Sequence, residues 1–237
     1  MVLSHLGDGK IDMSLTCRPT ARVPLSWWGW LAVALAFGPF VAKRAILLGQ
    51  HDYTVWLAAD YGARVISLAG VIMARQAGLL DRGRLPAGLL KSVLVLLALI
   101  LANFYVQMFI YPLLRVHLEI FVLWHPPFIP NPFLRTFDLT FGLLLVAVSE
   151  ECVFRGLLMA LLERLRLNAS MVIVTSAAIF ALIHWTSGLA DTLNAFLAGL
   201  LWGVAYWQTR RLSVCIVSHY FVDLYVFSGW VPFRLTH

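Results

Sequence analysis

The chain has 237 residues, of which 61% are hydrophobic and 13% are charged. An average soluble domain is about half apolar and about a quarter charged, so this composition excludes a water-soluble fold. The formal net charge of +6 does not indicate nucleic-acid binding, because the basic residues are scattered in ones to threes between apolar runs.

Seven apolar runs follow a polar N-terminal tail of residues 1–26, which resembles a cytoplasmic tail more than a cleavable signal peptide. Each run is long enough to cross a hydrocarbon core of about 30 Å as a helix. The predicted spans are 27–48, 54–74, 90–112, 139–161, 170–187, 190–207 and 213–231. They predict an all-α transmembrane bundle of seven to eight spans that forms one domain, residues 27–237.

The segment 113–138 leaves the number of spans open. It contains a short apolar stretch, Ile120 to Trp124, followed by four prolines, and is either an interfacial or re-entrant piece or an eighth helix. With seven spans, most loop arginines and lysines fall on the side of the N-terminus, which predicts that the N-terminus is cytoplasmic. An eighth span would move the C-terminus to the cytoplasmic side.

Three charged residues near the middle of the fourth span need an explanation, because an ionisable group at the bilayer centre costs on the order of 2.5 to 3.5 kcal/mol. Glu151 and Arg155 are four residues apart with the acid first, which favours a helical ion pair. Glu150 is left over, about 100° around the helix. Two adjacent carboxylates repel each other in a low dielectric, so we expect one to hold a proton. A base beside an acid suits the activation of water.

The fifth and seventh spans each carry a histidine. Phe180 lies one turn before His184, so its ring can pack beneath the imidazole and fix its orientation. Cys215, His219 and Asp223 follow one face of the seventh span, where Asp223 can accept a hydrogen bond from His219 and set its tautomer. One such group alone is often only a hydrogen bond between helices, but three spans carrying them favour a shared site.

Other polar residues inside the spans give weaker signals. Asp60 and Arg64 are four residues apart and are predicted to form a pair that stabilises the second span. Asp191 and Asn194 are predicted to cap or line the sixth span. None of these four residues is included in the predicted catalytic set.

Three sequence blocks together resemble the ordered signature of the CAAX protease and bacteriocin-processing (CPBP) family of intramembrane endopeptidases. The family pattern is EExxxR, then FxxxH, then Hxxx followed by Asn or Asp. The matching blocks are Glu150-Glu151-Cys-Val-Phe-Arg155, Phe180-Ala-Leu-Ile-His184 and His219-Tyr-Phe-Val-Asp223. The resemblance covers the region of about 139–231 and implies hydrolysis of a peptide bond by a glutamate-activated water.

The resemblance also implies a role for each site residue. Glu150 would be the general base, Glu151 would support it, and His184 would help to hold the water. His219 and the residue one turn later would stabilise the oxyanion, but that residue is Asp223 here, where some relatives have Asn. Because an ionised aspartate would repel an oxyanion, Asp223 is expected to orient His219 unless it is protonated. Arg155 and Phe180 are supporting residues, with Arg155 paired to Glu151.

No cofactor is expected, since the chain lacks an HExxH sequence and a glutamate-activated water needs no metal. Zinc bound by the histidines and glutamates is the alternative. The predicted partners are a membrane-anchored protein or peptide substrate and the lipid bilayer, with no nucleic acid. The short loops suit a multi-pass protein of a bacterial inner (cytoplasmic) membrane.

Three other functions stay open. The chain is alternatively a non-catalytic immunity or partner-binding membrane protein on the same scaffold, or a transporter whose acids and histidines relay protons. A thiol protease using Cys215 beside His219 is a further alternative, which a fully active Cys215→Ala variant would eliminate.

The predicted span boundaries oppose a shared site in one respect. They put His184 toward the outer end of its span and His219 toward the inner end of its own, a difference in depth of about 9 to 12 Å at about 1.5 Å per residue. Unless tilt or shifted boundaries close this gap, the four catalytic residues cannot share one water.

Overall fold

The computed structural model describes residues 26–48, 52–80, 85–124 and 127–228. The predicted polar tail lies outside the described residues except for Ser26. The described residues form seven helices and no strand, which confirms the all-α prediction. The helices are α1 (Trp27–Leu47), α2 (Tyr53–Gln76), α3 (Leu89–Leu118), α4 (132–164), α5 (Ala169–Leu182), α6 (Leu189–Thr209) and α7 (Leu212–Phe227).

Each predicted span corresponds to one of these helices. Four of them, α1, α2, α3 and α6, are long and apolar enough to cross a membrane. The helices α5 and α7 are also apolar but have only 14 and 16 residues. With the high hydropathy of the chain, these helices indicate an integral membrane protein.

Side chains at several helix starts satisfy backbone N–H groups that have no partner within the helix. Ser26 caps α1, Asp52 caps α2, Asn131 caps α4 and Asn168 caps α5, each accepting a hydrogen bond from an amide two or three residues later. Ser, Asp and Asn are preferred at this position because their short side chains reach the free amides. The caps therefore define where these helices begin.

Helix α4 is the centre of the hydrophobic core. Val153, Phe154 and Leu157 in its middle are fully buried. The Phe154 ring lies 5.8 and 5.7 Å from the rings of Phe37 and Phe40 on α1, measured between centroids. It also lies 5.1 Å from the Phe180 ring on α5. Aromatic contacts thus join three helices at the level of the predicted site.

Two wider π-helical segments interrupt α4, at Asp138–Gly142 and Cys152–Leu158. The regular α-helical segment between them, Leu143–Glu151, ends with the two glutamates. Wider turns of this kind are frequent at functional sites, and they change the direction in which neighbouring side chains project. Glu150 and Glu151 therefore lie directly before the second π-helical segment, where the helix geometry changes.

Small residues bring α1 and α2 into backbone contact. Ala32, Ala36 and Ala74 are fully buried between them. A Cβ atom added to Gly70 would lie 2.4 Å from the Ala36 backbone nitrogen and 2.9 Å from the Ala32 carbonyl oxygen. Close approach at small residues is a common way for helices to associate in lipid, and here it sets the position of α2 relative to α1.

The segment after α3 is not an eighth helix in its described part. The amides of Leu123 and Trp124 donate to the Thr186 carbonyl, and the Leu189 amide donates to the Ile120 carbonyl. This non-helical segment therefore lies against the turn between α5 and α6, which agrees with an interfacial or re-entrant piece.

The predicted fifth span was too long. Helix α5 ends at Leu182, followed by His184 and a short 3₁₀ turn, Trp185–Ser187. Gly188 has φ +105°, a conformation open to glycine but strained for other residues. The apolar sequence continues past Leu182, but hydrogen bonds from the segment after α3 hold this stretch in a turn.

Candidate active site

The predicted catalytic residues lie on three elements that meet in the core. Glu150 and Glu151 end the regular α-helical segment of α4, and both are buried. His219 is buried on α7, whereas His184 lies partly buried in the turn that follows α5. The Glu150 carboxylate is within electrostatic range of both histidines. The fold thus assembles acid and imidazole side chains from separate helices.

His219 is surrounded by carboxylates. Its Nδ1 lies 2.8 Å from Glu151 Oε1, and its Nε2 lies 3.4 Å from Asp223 Oδ2 and 3.8 Å from Glu150 Oε2. Because an ionised carboxylate only accepts hydrogen bonds, Glu151 places a proton on Nδ1. Asp223, which was predicted to orient His219, faces the other ring nitrogen, so carboxylates lie beside both nitrogens of the ring.

Trp202 on α6 fixes the plane of the His219 ring. The two rings are stacked, with centroids 4.1 Å apart and planes 15° apart. The indole Nε1 donates to Ser218 Oγ at 3.4 Å. Sequence reasoning missed Trp202, because no motif surrounds it and tryptophan is common in membrane helices. The stack and the bond to Glu151 leave the imidazole little freedom to rotate.

The predicted ion pair of Glu151 and Arg155 is confirmed. Arg155 Nη1 lies 3.2 Å from Glu151 Oε1, and both side chains are fully buried. Arg155 Nη2 donates to the Gly199 carbonyl of α6 at 3.3 Å. The guanidinium carbon lies 4.5 Å from the Phe180 ring centroid and 5.2 Å from that of Trp202. Arg155 therefore joins α4 to α5 and α6 behind Glu151.

Glu150 has an arginine of its own, contributed by α2. Arg64 Nη1 donates to Glu150 Oε1 at 2.9 Å and to Ser149 Oγ at 3.1 Å, while Arg64 Nε donates to Asp60 Oδ2 at 2.7 Å. Lys43 of α1 in turn lies 2.5 Å from Asp60 Oδ1. All four ionisable side chains of this series are buried. They form a charge chain in the order Lys43, Asp60, Arg64, Glu150, with the signs of charge alternating.

The predicted pairing of Asp60 with Arg64 is thus confirmed, but the pair also reaches the site. From the sequence, the pair was predicted to stabilise α2 and was not included in the predicted catalytic set. The contact of Arg64 with the site could have been suspected from the sequence. A guanidinium has five N–H donors, and the pair with Asp60 leaves several of them available for a second acceptor. The identity of this second acceptor depends on how α2 packs against α4.

The two arginines change the expectation for the glutamate pair. Glu150 contacts Arg64 and Glu151 contacts Arg155, so each carboxylate has a positive charge beside it. The expectation of a retained proton considered only the repulsion between the two carboxylates and neither of these arginines.

His184 is oriented by Phe180 in two ways. Its Nδ1 lies 3.0 Å from the Phe180 carbonyl oxygen, one turn earlier, and the two ring centroids are 4.9 Å apart. Because a carbonyl only accepts, Nδ1 carries the hydrogen and Nε2 of the neutral ring has a free lone pair. The predicted contact between these residues is confirmed.

Phe180 also connects the two histidines. Its ring centroid lies 6.3 Å from that of His219, so both imidazoles flank the same phenyl ring. Because both imidazole rings lie next to the Phe180 ring, the difference in depth expected from the predicted spans does not keep the two histidines apart.

Among the described residues, no group of three His, Cys, Asp or Glu side chains is arranged to hold a metal ion. The thiol of Cys215, one turn before His219, is buried and donates to the Trp202 carbonyl at 3.4 Å. It is thus directed toward the backbone of α6.

Residues 132–225 match the family model described as Rce1-like, type II CAAX prenyl endopeptidase. This part of the chain is Rce1-like. The finding confirms the resemblance to CPBP-type endopeptidases that the sequence blocks indicated. The Rce1-like region begins with α4 and ends in the last turn of α7, so it contains every predicted site residue. Arg64, Asp60 and Lys43 lie outside it.

Comparisons with curated proteins and with solved structures gave no significant match. The match to the Rce1-like model covers less than half of the chain, and it shows that residues 132–225 are similar to CAAX endopeptidases.

Proposed function

We propose that this chain is a glutamate-dependent intramembrane endopeptidase that hydrolyses a peptide bond of a membrane-associated protein or peptide. The observation that carries the mechanism is the 3.8 Å separation of Glu150 Oε2 from His219 Nε2. Each group is fixed from behind, Glu150 by Arg64 and His219 by Glu151. The separation is too long for a direct hydrogen bond and suits two groups that act on a shared water and carbonyl.

In the proposed reaction, Glu150 Oε2 takes a proton from a water as the water oxygen attacks the scissile carbonyl carbon. His184 Nε2 accepts the second hydrogen of this water and orients it. The carbonyl oxygen becomes an oxyanion, which His219 stabilises by donating from Nε2 in its doubly protonated form. Glu150 then returns its proton to the leaving amine nitrogen as the carbon–nitrogen bond breaks.

Asp223 has a supporting role in this scheme. It lies 3.4 Å from His219 Nε2, so it stabilises the imidazolium by its charge. Since an aspartate beside a developing oxyanion is unfavourable, the oxyanion has to approach Nε2 from the side of Glu150. Asp223 is therefore a positioning residue, whereas His219 contacts the reacting atoms.

We propose that the reaction needs no metal. A divalent cation at the glutamates would have to displace Arg64 from Glu150 or lie beside Arg155, and both guanidinium groups repel it. Treatment of the purified protein with a chelator should leave peptide cleavage unchanged. Loss of cleavage that added zinc restores would instead support the zinc alternative.

The family name suggests a substrate that is itself anchored in the membrane, such as a prenylated C-terminal tail. We propose a membrane-anchored protein or peptide as the substrate class, and a bacterial cytoplasmic membrane as the location. A non-catalytic partner-binding protein and a proton-coupled transporter are the competing functions. The convergence of one base, two imidazoles and two buried arginines favours hydrolysis over both.

The deciding experiment compares Glu150→Gln with Glu163→Gln. Both glutamates lie on α4 and pair with an arginine, but Glu163 pairs with Arg210 at the far end, about 20 Å along the helix. Membrane proteins of cells expressing each variant would be compared by mass spectrometry for a protein that is shortened. We expect shortening with the wild type and Glu163→Gln, and none with Glu150→Gln at equal expression.

The competing functions predict other outcomes. Shortening that persists in Glu150→Gln would rule out the glutamate mechanism. Proton-coupled flux in vesicles without any peptide product would favour the transporter.

A further inference from the structure

Arg44, at the end of α1 beside the charge chain, has no carboxylate partner among the described residues. The neighbouring cations are already paired, since Lys43 contacts Asp60 and Arg64 contacts Asp60 and Glu150. Arg44 therefore makes no ion pair with a described carboxylate, although the carboxylates of Glu150, Asp60 and Asp191 act on it at longer range.

The Arg44 guanidinium is held toward the candidate active site. Its Nη1 donates to Thr186 Oγ1 at 3.3 Å, and Thr186 is buried in the turn two residues after His184. The Thr186 carbonyl accepts from Leu123 and Trp124, so the turn is itself fixed. Arg44 is partly exposed and within electrostatic range of Glu150. A single hydrogen bond therefore positions a cation at the turn that also contains His184.

The chemistry of the group defines what it can bind. A guanidinium has five N–H donors in a planar fork, and only one of them is used in this contact. The fork matches the two oxygens of a carboxylate, and such charge-assisted bonds are strong at a poorly hydrated site. A bound carboxylate would give Arg44 the direct ion pair that it lacks among the described residues.

We propose that Arg44 binds a carboxylate of the substrate and thereby sets where the chain is cut. This inference rests on the proposed endopeptidase function and adds a recognition element outside the Rce1-like region. The carboxylate is either the free C-terminus of the substrate or an Asp or Glu side chain. In both cases the carboxylate should lie at a fixed separation along the peptide from the scissile bond, because Arg44 is positioned by Thr186 and Glu150 by Arg64.

The test is cleavage of a peptide library by the purified protein in detergent micelles. The library is a digest of membrane proteins, used once with its carboxyl groups free and once with all of them converted to amides. Products are identified by mass spectrometry, so that each cut can be related to the nearest carboxylate. The proteins compared are the wild type, Arg44→Gln, Arg44→Lys and, as a control, Arg115→Gln. Arg115 pairs with Glu119 near the end of α3.

We expect the wild type and Arg115→Gln to cut the free library on the order of tenfold faster than the amidated one. The cuts should cluster at one separation from a carboxylate, and whether this is terminal or on a side chain identifies its source. Arg44→Gln should cut both libraries equally and without clustering. Arg44→Lys should keep part of the preference, since it keeps the charge but not the fork.

Two results would overturn the proposal while leaving the protease function intact. One is a wild type that cuts both libraries alike, and the other is a preference that survives in Arg44→Gln. If the wild type cuts neither library, the proposed function fails and this inference fails with it. Melting temperatures measured on the same samples show whether Arg44→Gln is folded. If the folded variant cuts the amidated library at the wild-type rate, Arg44 acts in recognition and not in the chemical step.

Discussion

At the residue scale, Arg64 links two buried carboxylates that belong to different helices. Its Nε binds Asp60 on its own helix and its Nη1 binds Glu150 on α4. A lysine carries the same charge but has one nitrogen and cannot reproduce both directions of the planar fork. The position of Glu150 therefore depends on the shape of the arginine as well as on its charge.

Arg64→Lys should lower the rate of peptide cleavage on the order of tenfold to a hundredfold, because small displacements of a catalytic base are costly. The effect should appear in kcat more than in KM, since Arg64 does not face the substrate. Arg115→Lys is the matched control, because it alters a partly exposed ion pair with Glu119 and such pairs contribute little. Steady-state kinetics of both variants in micelles would measure this, and equal rates would contradict the role of Arg64.

At the scale of elements, the contact between α1 and α2 determines whether the charge chain can form. Gly70 lies against the backbone of α1, where an added Cβ would be 2.4 Å from the Ala36 nitrogen and 2.7 Å from the Leu35 carbonyl carbon. Backbone atoms cannot move aside as a flexible side chain can. Any side chain at Gly70 must therefore push the two helices apart and stretch the contact of Lys43 with Asp60.

Gly70→Ala should lower the free energy of unfolding by about 1 to 3 kcal/mol, the usual range for overpacking, and should reduce cleavage activity. Gly62→Ala is the control on the same helix, because its Cβ would meet nothing within 4 Å. It should be neutral or stabilising by up to about 1 kcal/mol, given the helix propensity of alanine. Thermal unfolding in detergent would compare the two, and similar losses would contradict the close contact at Gly70.

At the scale of the whole molecule, helices α5 and α7 are short for a bilayer in the part of the chain that the structure describes. Helix α5 has 14 residues and α7 has 16, which correspond to lengths of about 21 and 24 Å. A typical hydrocarbon core is about 30 Å thick. A span shorter than the hydrocarbon core is accommodated by local thinning of the bilayer, by flanking side chains that reach the interface or by oligomerisation. We infer local thinning on this side of the bundle, which would give the proposed hydrolysis access to water.

The stability of the protein should consequently depend on bilayer thickness. The protein would be reconstituted into phosphatidylcholine vesicles with acyl chains of increasing length. Its thermal unfolding temperature should be highest in the thinner bilayers and should decrease as the acyl chains lengthen. Tryptophan fluorescence would follow the transition without the need for a substrate. A transition temperature that rises steadily with chain length would contradict the local thinning inferred from α5 and α7.

The local features of the molecule were readable from the sequence. Apolar runs gave the seven helices, because in lipid the backbone can satisfy its hydrogen bonds only within a helix. The spacing of Glu151 and Arg155 gave their ion pair, and that of Phe180 and His184 gave their contact, because residues four apart share a helix face. The ordered blocks on α4, α5 and α7 also indicated the family that the Rce1-like match supports.

Other features depended on which helices meet, and no sequence spacing encodes that. The contact of Arg64 with Glu150, the stacking of Trp202 on His219 and the bond from Glu151 to His219 all cross between helices. The turn at His184 was missed because its cause is a hydrogen bond from residues more than sixty positions earlier in the chain, Leu123 to Thr186. The sequence by itself determined the helices and the chemical groups they carry, through local backbone and side-chain geometry. Only the tertiary structure decided the partner of each charge. A buried charge needs an opposite charge beside it in a low dielectric, and the packing of the helices determines which one is near.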